Sequence, residues 1–280
     1  MAEKQATEDL QLIDIEQVFA SKDEKLLKRI PGFFIHYLKR IVHQDEINKF
    51  LTDIQGNEGQ DFVDRALEYM NVNIILKGVE NIPSNSRMII VSNHPLGGLD
   101  GMCLMQTLAE RLDPNIMATS NDILMNVKPS RSLFLGVNKH GGNSRAYIKE
   151  MQETFDGDKA VIFFPAGLVS RRKWGKIEDT EWKRTFVKKS VSHKRDVLPV
   201  HISGRVSNFF YNLSNIRTFL GIKYNIEMLY LVDELLKHKN QDLTITFGPV
   251  IPWSHFTRDK SPEEWAKEVK KQVYEFGKKL

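Results

Sequence analysis

From residue 72 onward the chain alternates short apolar runs with amphipathic stretches. Apolar runs predict strands at 73–77, 87–92, 115–119, 159–164, 196–202 and 242–248. Between them, apolar residues recurring at helical spacing predict helices at 99–112, 143–155, 179–193 and 225–238. That alternation predicts an α/β fold with a mostly parallel central sheet flanked by helices. A last helix opens at Ser261-Pro262-Glu263-Glu264. Serine at the cap, proline at the first helical position and glutamate at the third form a helix start.

Residues 1–70 read differently. They predict helices only, so the expected organisation is an N-terminal helical segment, 1–70, and a second domain over 71–280. Pro31-Gly32 separates a short basic helix from one carrying Phe33, Phe34, Tyr37, Leu38, Ile41 and Val42 on one stripe, with Lys39 and Arg40 beside it. Such a helix either packs on the main domain or lies on a membrane surface. Residues 206–222 crowd together Val206, Phe209, Phe210, Tyr211, Leu213, Ile216, Phe219, Leu220 and Ile222. They predict a buried helix or an exposed patch for lipid.

Composition narrows the classes. A chain of 280 residues can bury a sizeable core. Forty Lys and Arg against 36 Asp and Glu give a net charge of +4. That permits an anionic lipid surface or an acidic carrier protein, and is too modest to argue for nucleic acid. Cys103 is the one cysteine, which excludes an intrachain disulfide framework and a thiolate zinc cluster. The polar N-terminus does not read as a signal peptide, and no apolar run approaches the ~20 residues that span a bilayer.

The chemistry is expected around Val91-Ser92-Asn93-His94-Pro95-Leu96-Gly97-Gly98-Leu99-Asp100-Gly101. This is a strand, a glycine-rich turn and a helix, and strand ends are where α/β sheets place their sites. Three readings fit. His94 can be a strand-end residue, with Asp100 a helix N-terminal acid. The glycines can cradle a phosphate, with Asp122 beyond them as a ribose acid. Or Asp100 can hold one nitrogen of the His94 ring and leave the other as a general base.

A second strand runs into Phe164-Pro165-Ala166-Gly167-Leu168-Val169-Ser170-Arg171-Arg172, and a third, Val197-Leu198-Pro199-Val200-His201-Ile202, ends in Ser203-Gly204-Arg205. Arginines suit bidentate capture of phosphate or carboxylate. Asn93-His94 with Asp100, then Phe164-Pro165-Ala166-Gly167, then Leu198-Pro199-Val200 resemble three blocks of the lysophospholipid acyltransferase superfamily, in order, over roughly residues 70–250. More narrowly, they resemble the haemolysin-named branch that includes O-acyltransferases of bacterial ornithine and glycine lipids. The chain departs from the superfamily in one extra residue between His94 and Asp100. It has Ala166 where glutamate is usual, and only Lys139, in Phe134-Leu135-Gly136-Val137-Asn138-Lys139, where a phosphate-binding arginine is usual.

The resemblance implies acyl transfer from a thioester of acyl carrier protein or coenzyme A to the hydroxyl of a lyso-lipid, with His94 as general base and Asp100 holding it. Asn93, Gly97, Gly98, Lys139, Phe164, Pro165, Ala166, Gly167, Arg171, Arg172 and Arg205 are then expected to line the substrate site. Gly97 and Gly98 would be oxyanion donors, and Arg171 and Arg172 partners for one carboxylate. A lyso-aminolipid is the expected acceptor and lysophosphatidate the alternative; a non-enzymatic lipid- or nucleotide-binding module is the alternative of another class. No G-x-S-x-G elbow, H-E-x-x-H or Walker A sequence occurs, so neither a metal nor a cofactor is expected. The expected location is peripheral, on the inner face of the cytoplasmic membrane.

Overall fold

A computed structural model describes residues 12–17, 31–112, 116–120, 128–136 and 145–279. They form two compact units, and neither is one continuous stretch of chain. One comprises residues up to 57 together with 207–237; the other comprises 58–206 with 238–280.

The larger unit holds a seven-stranded sheet. Its strands are β1 (Asn73–Lys77), β2 (Met88–Ser92), β3 (Ile116–Ser120), β4 (Phe134–Gly136), β5 (Ala160–Phe163), β8 (Asp196–Ile202) and β9 (Asp242–Phe247). They lie in the order β1-β9-β8-β2-β5-β3-β4. The run from β8 to β4 is parallel, as is β1 with β9, and the one antiparallel pairing is β8 with β9. The fold is therefore the expected mostly parallel α/β sheet. Every residue of β2 is buried, as in a strand covered on both faces.

Six strands fall where apolar runs predict them. β4 was not predicted, because three residues carry too little pattern. Nor was the small antiparallel hairpin of β6 (Arg171–Lys173) and β7 (Lys176–Glu178), whose sequence reads as a charge run.

Helices α3 (Gln60–Met70), α4 (Gly98–Ala109), α5 (Arg145–Asp156), α6 (Thr185–His193) and α9 (Pro262–Lys279) belong to this unit. Trp265, Ala266, Val269 and Val273 of α9 enter the core cluster with Phe155, Phe163, Trp182 and Phe186. The predicted helix over 179–193 begins only at Thr185, because Asp179 and Trp182 are held in other contacts described below. Arg195 is wholly buried and closes the end of α5. Its guanidinium donates to the carbonyls of Phe155 at 2.9 Å, Lys159 at 2.6 Å, Thr154 at 3.1 Å and also Gly157. Burial pulls its pKa down to about 10. The negative end of a helix is a favourable seat for a cation.

The smaller unit is helical: α1 (Gly32–Ile41), α2 (Gln44–Asp53), α7 (Asn208–Phe219) and α8 (Leu231–Leu236). The expected stripe on α1 divides. Leu38 and Ile41 are buried and Val42, just past the helix, is half-buried, whereas Phe33, Phe34 and Tyr37 are exposed; Ile35, outside the stripe, is buried as well. α7 divides likewise: Phe210 and Tyr211 are buried, while Phe209, Ile216 and Phe219 are exposed, as is Leu220 just beyond the helix. Predicted helix 225–238 is a 3₁₀ turn at Ile226–Tyr230 followed by α8. A buried ion pair joins Arg217 to Glu227 at 2.8 Å, and Ser207 donates its hydroxyl to Glu234 at 2.6 Å. The basic helix expected before Pro31, and Asp122, lie outside the described residues.

Candidate active site

β2 is the middle strand, and His94 follows it after one residue, Asn93. The preceding Asn93 extends the β2–β8 pairing past its last rung. Its side-chain amide donates to Ile202 O at 2.8 Å, and its oxygen accepts Ile202 N–H at 2.7 Å. Asn93 is therefore a rung of the scaffold. After Pro95 and Leu96, Gly97 takes φ +78°, a conformation glycine adopts without a Cβ clash, and α4 begins.

Asp100 stands at the third position of α4, fully buried. One carboxylate oxygen, Oδ2, accepts three bonds: from Leu96 N at 2.9 Å, Gly97 N at 3.1 Å and His94 Nδ1 at 3.0 Å. The other, Oδ1, is buried with no hydrogen-bond partner in the structure. Burial pushes the Asp100 carboxyl above its ordinary pKa, while the bond from His94 and that ring's charge oppose the rise. Two backbone N–H donors on the same oxygen favour its unprotonated, accepting form, which suits a hydrogen on Nδ1 in the bond to His94. The extra residue between His94 and Asp100 is thus accommodated in the glycine turn with the contact made. The His94 side chain keeps 19 % exposure.

The turn after β5 closes the other side. Phe164 stacks on the His94 ring, centroids 4.2 Å apart and planes 26° apart. Gly167, at φ +67°, donates to Phe164 O at 2.9 Å and closes the turn over Pro165 and Ala166. Ala166 is buried in the core cluster. A Cβ added to Gly167 would stand 3.4 Å from Lys183 Nζ, which places that ammonium at this turn.

His94's main chain is clamped from both sides. Ser170 N donates to His94 O at 2.8 Å, and His94 N donates to Asp179 Oδ1 at 3.2 Å. Asp179 also accepts the Ser170 hydroxyl at 2.6 Å and, through Oδ2, the Trp182 indole at 2.8 Å. α9 fixes Asp179 in turn. Asp179 N donates to the Tyr274 hydroxyl at 2.7 Å, and Lys270 donates to Asp179 O at 2.6 Å. Asp179, Trp182 and Lys183 were not singled out from sequence, and only their place beside a basic run could have marked them.

The expected arginines part company. Arg171 is buried and donates to Val169 O at 2.6 Å, while Arg172 is half-buried on β6. Arg205 is exposed and lines a cavity of about 160 Å³, together with Leu96, Leu99, Gly204 and His238. Gly97 N–H is already given to Asp100, whereas Gly98 opens α4. Lys139 lies outside the described residues. Among the described residues no three His, Cys, Asp or Glu side chains stand together as a metal site.

A buried carboxylate orienting an imidazole, at the carboxyl end of the middle strand, is an arrangement suited to proton abstraction. The chain is 46 % identical over 271 residues to a lyso-glycine lipid O-acyltransferase of Phocaeicola vulgatus, covering 97 % of each chain. It is 45 % identical over 267 residues to a protein of the same name from Bacteroides thetaiotaomicron, covering 95 % of this chain and 98 % of that one. Among solved structures, the 1-acyl-sn-glycerophosphate acyltransferase PlsC of Thermotoga maritima aligns at 18 % identity and a TM-score of 0.49, over 88 % of this chain and 92 % of that one. A family described as acyltransferase matches residues 17–280. With nearly the whole chain inside that match, and relatives of that identity along its length, the protein belongs to the acyltransferase family.

Proposed function

We propose that the protein moves a fatty acyl group from an acyl thioester to the hydroxyl of a lyso-aminolipid of the glycine type, with His94 as general base. The observation that supports this most is the His94–Asp100 bond at 3.0 Å, which occupies one ring nitrogen and directs the basic lone pair to Nε2. The acceptor follows the names of the two relatives.

In this reading Nε2 takes the proton of the acceptor hydroxyl as its oxygen attacks the thioester carbonyl. Asp100 stabilises the imidazolium that forms. The tetrahedral oxyanion needs fixed donors, and Gly98 N–H is the remaining candidate of the glycine pair. Collapse breaks the C–S bond, the thiolate takes the proton back from His94, and an ester and a free thiol remain. Thiolate is a good leaving group, with a thiol pKa near ~8.5, so the step as written needs no cofactor. The donor is acyl carrier protein or coenzyme A. Arg205, beside Leu96 and Leu99 in the cavity, is assigned to the acceptor carboxylate, with Arg172 and Lys183 adding positive potential.

No described helix is long and apolar enough to cross a membrane. We place the protein on the inner face of the cytoplasmic membrane. The exposed Phe33, Phe34 and Tyr37 of α1 and Phe219 and Leu220 at the end of α7 support this.

The test is competition. N-(3-hydroxyacyl)glycine and lysophosphatidate are supplied with one acyl thioester and compared by kcat/KM and thiol release. The glycine acceptor is expected to win; preference for lysophosphatidate by tenfold or more rejects the assignment. His94→Ala is expected to abolish transfer, and full thiol release from that variant rejects the base.

A further inference from the structure

The β6–β7 hairpin carries two features that work against its own folding. Its two-residue turn is Trp174-Gly175, with φ +52° and +77°. Turns with two positive φ angles favour Asn-Gly, and a left-handed conformation costs a bulky residue about 1–2 kcal/mol. Across the hairpin Lys173 sits directly opposite Lys176, and like charges in that relation repel; the pairing of Lys176 with Glu178 at 3.0 Å, itself partly solvent-exposed, offsets only part of that. Trp174 is fully exposed, unlike the buried Trp182 and Trp265. A Cβ added at Gly175 would meet nothing within 4 Å, so the tip stands in open space.

The base of the hairpin is the opposite of its tip. Ser170 and Asp179 flank it, bond to each other at 2.6 Å, and both grip the main chain of His94. Strands of three residues reach about 10 Å. The hairpin is thus a short arm rooted in the His94 loop, ending in an indole between two lysines.

We propose that this arm is an interfacial anchor: Trp174 seats at the headgroup level of a bilayer, Lys173 and Lys176 meet anionic headgroups, and the His94 loop is held about 10 Å from the lipid surface. Both unfavourable features become favourable there, since indole rings prefer the membrane interface and lysines are drawn to anionic lipid. A protein partner fits less well. A stable protein interface buries roughly 1,200 Å² or more, and a single ring on a charged tip offers little of that. The inference rests on the reading that the acceptor is a lipid.

The experiment uses the whole protein and vesicles of phosphatidylglycerol and phosphatidylcholine, without donor or acceptor. Trp174→Asn suits the left-handed turn, so its thermal midpoint is expected to match or exceed that of the parent. Its vesicle partition coefficient is expected to fall about tenfold, from loss of the buried ring area. Lys173→Ala is expected to lower it about fivefold at low salt. Turnover of a short-chain, water-soluble acceptor is expected to stay unchanged in both variants. Partition equal to the parent in Trp174→Asn overturns the proposal. So does a raised KM for acyl carrier protein with partition intact, which would make the tip a protein-docking element. Because partition is read without substrate, an error in the acceptor assignment appears only in the competition assay.

Discussion

The carboxylate of Asp179 accepts the main-chain N–H of His94 at 3.2 Å, although 85 residues separate them. Its own chain position is held by Tyr274 and Lys270 of the C-terminal helix. The placement of His94 therefore depends on a helix at the far end of the sequence. Asp179 touches no reacting atom in this reading; it is a positioning residue.

Asp179→Asn tests that dependence. An amide retains one acceptor but turns its NH₂ onto either the Trp182 indole or the Ser170 and His94 donors. A displacement of about 1 Å at a reacting group can cost ~10²-fold. We expect kcat to fall about 10- to 100-fold with the KM for thioester changed less than about twofold. A loss of stability with kcat preserved would make the contact structural alone.

Arg195→Lys addresses the end of α5. One ammonium cannot reach the four carbonyls that the guanidinium serves. Leaving buried polar groups unpaired costs about 1–3 kcal/mol each, so urea unfolding is expected to show a loss of roughly 3 kcal/mol or more. An unchanged urea midpoint would refute this account.

His201 on β8 gives a pH dependence. Burial lowers its pKa below the ordinary 6.5, with the charge of Asp179 opposing that shift. Its ring meets Tyr274 edge-on at 5.8 Å, and a Cβ on Gly277 would clash with it. Between the folded and unfolded pKa values the unfolded chain binds more protons, so stability is fully present above about 6.5 and declines as pH falls below it. Thermal midpoints from pH 7.5 to 5 are expected to fall more steeply in the parent than in His201→Asn. Equal slopes would remove His201 from the explanation.

How much of this was legible in the sequence depends on chain distance. Six strands and the His94–Asp100 pair were legible because each is local: an apolar run, or two residues one turn apart. Asp179 was not, since nothing in a charged stretch marks one carboxylate as buried against a distant loop. The same stretch reads as continuing a helix back to 179, but Asp179 and Trp182 serve the loop and the core instead. Arg171 reads as a ligand-binding arginine because it follows the turn; the structure buries it at the base of β6, and burial falls away along the strand to exposed Lys173 at the tip. The α1 stripe reads as one face because aromatic and aliphatic residues count alike in a periodicity, whereas the fold buries Leu38 and Ile41, half-buries Val42 and exposes the three aromatic residues.

β8 and β9 are antiparallel neighbours, and such strands can be joined by a turn of two to five residues. Here the chain instead leaves after β8, builds α7 and α8, and returns. Ser207 at the departure is tied to Glu234 near the return, at 2.6 Å. The excursion is therefore a closed insert whose omission the sheet's connectivity would tolerate. Residues 207–237 thereby form a compact unit with the residues up to 57, while the strands and motifs around His94 belong to the other unit. A chain detour that the sheet does not need for its own connectivity is thus the part that displays Phe219 and Leu220.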